Sequence, residues 1–84
     1  MLVEQELEQF IVGKFGRRRG MRSIGPDDDL IRGDVVDSLG LIELVDFIEE
    51  RFGVRIDDDD VVIANFRDIR SIERLIDGKR PGAR

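Results

Sequence analysis

The stretch that most constrains this 84-residue chain runs from Ser38 to Phe52. Advancing about 100° per residue, Leu41, Leu44, Val45, Ile48 and Phe52 fall within about 100° of one another. One apolar stripe of that width is a helix with a single face to bury, and Gly53 stands where a left-handed residue would end it. The opposite side carries Leu39, Ile42, Glu43, Asp46, Glu49 and Glu50. Two aliphatic residues among four carboxylates fit two readings. Either they pack beneath a loop, or they are apolar anchors inside an acidic rim that other proteins dock on. Ser38 opens this helix on the same outer side, and Asp37 precedes it.

The rest of the chain supplies partners for that apolar face. Val3, Leu7, Ile11 and Phe15 recur at four-residue steps, with Phe10 beside them, predicting a helix over about 2–15 that Gly16 stops. Residues 16–36 are rich in glycine, proline and charge, and predict an ordered or half-ordered loop that Leu30 and Ile31 plug into the core. Asp57–Asp60 predict the cap of a short helix over about 59–64 with Val61, Val62 and Ile63 turned inward. Asp68 is placed as N-cap of a last helix over about 69–77, with Ile69, Ile72, Leu75 and Ile76 apolar and Gly78 and Pro81 as stops. No stretch alternates like a strand. The expectation is an all-α four-helix bundle in one domain over 1–84, its tail frayed from 79 to 84.

Composition removes several classes of chemistry. Cysteine and histidine are both absent. Disulfides, thiolate nucleophiles, the commonest general base and the commonest metal ligand go with them. No apolar run approaches the ~20 residues of a membrane span, so a cytoplasmic protein is expected. Net charge is -5, but residues 27–60 alone hold thirteen acids against Arg32, Arg51 and Arg55. That field draws basic partners toward Ser38 and repels nucleic acid. The aspartate runs do not have calcium-loop spacing: counted from Asp27 the turn-glycine position holds Arg32, and counted from Asp57 it holds Val62. Arg17–Arg19 read as a solvated loop or a protein contact.

Ser38 itself has three possible roles. As a hydrolase nucleophile it lacks an activating base and the strained glycine elbow. As a helix cap it needs no function, and Asp37 would serve equally. As a phosphate-ester site it sits where unpaired amides and the helix dipole suit a phosphodiester.

The sequence Asp37-Ser38-Leu39-Gly40-Leu41-Ile42-Glu43-Leu44-Val45 resembles the phosphopantetheine attachment motif of acyl and peptidyl carrier proteins. The likeness continues through Phe47–Val54 and returns at Asn65–Ile72, near the entry to the family's last helix. The resemblance implies a four-helix bundle with one short helix. It implies a 4'-phosphopantetheine arm moved from coenzyme A onto Ser38 by a phosphopantetheinyl transferase, with Asp37 in support. The chain would then be no enzyme but a monomeric carrier, holding an acyl or aminoacyl group as a thioester on an imported thiol. A loading enzyme and a downstream synthase or transferase would dock on Leu39, Ile42, Glu43, Asp46 and Glu50. Gly40 stands where fatty-acid carriers usually place an acid, and the loop at Arg17–Arg19 is unusually basic. Both point to a stand-alone carrier of a polyketide, nonribosomal peptide or related pathway. The alternative is a small all-α adaptor with no prosthetic group.

Overall fold

A computed structural model of the protein describes residues 3–16 and 20–80, and among these residues the structure is helical with no strand. The chain order is α1 (Val3–Ile11), a π-wound turn (Val12–Gly16), α2 (Ser38–Phe52), a 3₁₀ turn (Asp58–Asp60), α3 (Ile63–Phe66) and α4 (Ile69–Lys79). This is the expected all-α architecture. Leu2, Arg17–Arg19 and the tail from Pro81, for which a helix start, a solvated loop and fraying are predicted, lie outside the described residues.

α1 buries Val3, Leu7 and Ile11 on one stripe, as their four-residue spacing requires. Its winding then widens. A π turn brings positions five apart into line, and Phe10 and Phe15 meet edge to face at 6.0 Å. The helical path therefore reaches Gly16, whose carbonyl accepts the Met21 amide at 2.9 Å.

α2 matches its predicted limits. Leu44 and Ile48 are fully buried, while Leu41, Val45 and Phe52 pack half-buried at the edge of the core. Phe47, absent from the predicted stripe, lies flat on Phe10 with ring centroids 4.0 Å apart. Gly53 closes the helix at φ 67°, its amide donating to the Glu49 carbonyl.

The connection between α1 and α2 is tied down by hydrogen bonds. Leu30 is buried, its amide donates to the Arg67 carbonyl at 2.7 Å, and its own carbonyl accepts from Val35 and Val36. Ile31 reaches only half-burial; its amide and that of Arg32 close a turn on the Asp29 carboxylate. Glu8 of α1 accepts the Ile24 amide, and Arg70 of α4 pairs with Asp27 at 2.8 Å. The Asp27 carboxylate raises the affinity of Arg70 for its proton.

The segment before α4 departs from expectation. In place of one helix over 59–64 there are two shorter turns, with a break at Val61–Val62. Val61, Val62 and Ile63 do not turn inward: they are 37%, 47% and 68% exposed. The break resets the helical phase, so that α3 presents Phe66 to the core, 1% exposed. α4 also outruns its predicted end. Gly78 lies inside the helix, and Arg80 closes it by donating to the Ile76 carbonyl. The Lys79 ammonium lies 2.6 Å from Asp60 and 3.5 Å from Asp57, so the last turn has a tertiary anchor that overrides the glycine. α1 and α3 both pack on α4, around Leu7, Ile11, Phe66, Ile69, Ile72 and Ile76.

Candidate functional site

Both Asp37 and Ser38 could cap α2, and the fold chooses between them. Asp37 takes the extended N-cap conformation, and its carboxylate accepts the Gly40 amide at 2.7 Å. Its carbonyl accepts the Leu41 amide. Ser38 is thereby the first residue of the helix proper. It is exposed, and its hydroxyl makes no hydrogen bond among the described residues. The Ser38 and Leu39 amides remain at the open helix end, where the dipole favours negative charge.

The outer face of α2 leaves its aliphatic residues uncovered. Leu39 and Ile42 are 68% and 61% exposed, so no loop covers them. The carboxylates around them are not equivalent. Asp46 and Glu50 are exposed. Glu43 is half-exposed and lies 3.6 Å from the Lys14 ammonium. Glu49 turns toward the C-terminal end of α2, where it accepts the Ile56 amide at 2.8 Å.

Two depressions flank the head of α2. One, of about 280 Å³, lies on the side of the 3₁₀ turn and is walled by Leu41, Ile42, Val45, Ile56 and Val61. The other, of about 610 Å³, lies on the side of α1. Its apolar surface comes from Phe15, Val35, Leu39 and Gly40. Asp34, Asp37, Glu43 and Lys14 form its polar rim.

Lys14, Phe15, Asp34 and Val35 are site neighbours that sequence reasoning missed. One signal was present. Glycine in the first turn of a helix costs stability relative to alanine, which implies a packing reason. A Cβ on Gly40 would come within 2.9 Å of the Phe15 ring, so the glycine makes room for that ring. Asp34 has φ 58°, left-handed backbone in which aspartate is one of the few tolerated side chains.

The geometry suits a bulky phosphate ester. A hydroxyl without a hydrogen-bond partner among the described residues stands at a helix N-terminus, and the capping duty is assigned to the neighbouring aspartate. Comparison with known proteins gives the family. A family model described as "Phosphopantetheine attachment site" matches residues 9–76. Two curated proteins named "Acyl carrier protein", from the DP4 and Hildenborough strains of Nitratidesulfovibrio vulgaris, are each 37% identical to the chain over 60 residues. Each match covers 71% of this chain and 76% of the relative.

Proposed function

Since the chain belongs to the phosphopantetheine-attachment family, as a carrier protein homologous to acyl carrier proteins, we propose that Ser38 is the residue that bears the arm. One observation carries this reading: Asp37 caps α2 and leaves Ser38 exposed beside it, its hydroxyl without a partner among the described residues. Ser38 would hold the phosphodiester, and the first amides of α2 would face its charge. When bound, the arm supplies a thiol on which an acyl or aminoacyl group is carried as a thioester. The chain's own residues present that arm and position partners. Leu39 and Ile42 offer apolar anchors, Asp46 and Glu50 attract basic surfaces, and Glu43 stands at the edge of the same face.

The partners in this reading are a phosphopantetheinyl transferase using coenzyme A, a loading enzyme, and a downstream synthase or transferase. The carrier is a cytoplasmic monomer. Gly40 supports a specialised pathway over fatty-acid synthesis: an acidic side chain there would collide with Phe15.

Mass measurement tests the reading. The purified chain, incubated with coenzyme A and a promiscuous phosphopantetheinyl transferase, should gain the mass of one phosphopantetheine, and Ser38→Ala should gain none. An unchanged mass with several such transferases would leave a helical adaptor instead.

A further inference from the structure

The groove on the α1 side of α2 has a composition that the acidic face alone does not explain. Its floor is an aromatic ring, Phe15, seated on Gly40. Its walls, Val35 and Leu39, are apolar. Asp34 stands at its rim, exposed, with its carboxylate engaged by no hydrogen bond or ion pair among the described residues. Asp37 stands beside it, with one oxygen given to the Gly40 amide. Among the described lining residues the one cation is Lys14, and it is already turned to Glu43. Within that described lining, three carboxylates against one paired lysine favour a cationic occupant over an anionic one. An aromatic floor under a carboxylate rim matches one side chain above others, the planar guanidinium of arginine, which stacks on rings and donates to carboxylates together.

We propose that this groove receives an arginine side chain of the transferase that modifies Ser38, an inference that rests on Ser38 being the attachment point. The guanidinium lies over Phe15 and donates to Asp34, with Asp37 alongside. Lys14 opposes it, both by like charge and by neutralising Glu43. Recognition thus extends from the outer face of α2 onto Phe15 and Asp34, which the α2 sequence does not contain. Gly40 is the residue that permits it.

Opposite signs at two exposed positions make the test. The full chain is modified by a promiscuous phosphopantetheinyl transferase with coenzyme A at low salt, and rates are read against carrier concentration. Asp34→Asn removes the charge while keeping a residue at home in left-handed backbone. It should raise KM about threefold with kcat unchanged, the size expected of one exposed charge pair. Lys14→Gln should lower KM about twofold. Asp77→Asn and Arg55→Gln change net charge equally, but lie toward the far end of the roughly 22 Å α2 helix, near Lys79 and Gly53. They should change KM by less than about 1.3-fold, and all differences should shrink near 0.5 M salt. Asp34→Asn behaving like Asp77→Asn, or Lys14→Gln raising KM, would overturn the groove's role while Ser38 remained the modified residue. Modification that persists in Ser38→Ala, or never occurs in the natural chain, would overturn the attachment reading and this inference with it.

Discussion

α2 and α4 each begin with an aspartate whose carboxylate accepts the amide three residues on, at 2.7 Å from Gly40 and 2.8 Å from Ser71. Asp37 is exposed, and the residue after it is the exposed Ser38. Asp68 is 8% exposed, and the residues after it include Ile69 and Ile72 at 0% and Ser71 at 5%. The same capping chemistry therefore opens one helix toward solvent and another into the core. A cap is settled within four residues, whereas accessibility depends on what packs on top. At α4 the cover is α1 and α3; at the head of α2 the Phe15 ring packs on Gly40 but Ser38 and Leu39 stay exposed.

The comparison predicts a graded response along α2. Leu44→Ala empties a fully buried position and should cost roughly 2–5 kcal/mol in denaturant unfolding, whereas Leu39→Ala on the outer face should stay within about 0.5 kcal/mol. Equal losses would mean that the outer face is covered in solution.

The two caps come next. Asp68→Ala strands a buried amide and should cost about 2 kcal/mol; Asp37→Ala, where water can replace the carboxylate, should cost about 1 kcal/mol. The urea midpoints of the two variants should fall in that order, and a reversed order would break the contrast between a buried and an open helix start.

At Gly40 an added side chain must displace Phe15. Gly40→Asp should lose about 1–2 kcal/mol despite the favourable charge at a helix N-terminus. Pairing it with Phe15→Leu should recover part of that loss, measured as a non-additive double-mutant cycle.

The smallest effects are those of pH. Burial pulls the Asp68 carboxyl upward, but its bonds to Ser71 and the nearby Arg67 and Arg74 hold it below the ordinary carboxylate value. The Lys79 ammonium, then the Asp57 amide, hold Asp60 below it as well. Folded-state values lower than unfolded ones mean stability that is complete above the ordinary carboxylate range and lost as pH falls through it. Lys79 is raised, chiefly by Asp60, so its share is present below the ordinary lysine value and lost at higher pH. The thermal midpoint should be flat between about pH 5 and 9 and fall on the acid side. Asp68→Asn should remove more of the acid limb than Asp60→Asn, because Asp68 is buried in the helix start and Asp60 is on the surface.

Much of the fold was legible because the helices advertise themselves. The four-residue steps of α1, the stripe of α2 and the run Ile69–Ile76 each marked a buried face, and Asp68 and Gly53 marked ends, with Asp37 and Ser38 equal candidates for the start of α2. The segment from Asp57 to Phe66 was not legible. Val61, Val62 and Ile63 are as apolar as any core triplet, and only a backbone break puts them outside. At the candidate site, the exposed Ser38 and the uncovered outer face of α2 could be anticipated from the chain. The pairing of Lys14 with Glu43, the diversion of Glu49 to Ile56 and the Phe15–Gly40 contact could not. Each joins residues too far apart for periodicity to connect.

By itself the sequence determined the helical class, the carrier motif and the acidic surround of Ser38, because these rest on interactions within a turn or two and on simple charge count. Only the tertiary structure decided which carboxylates are tied to other elements and which stay exposed, and that an aromatic ring from the end of α1 shapes the surface beside the serine. Those outcomes depend on how separate helices meet in space, where packing and not local preference selects among residues that are chemically alike.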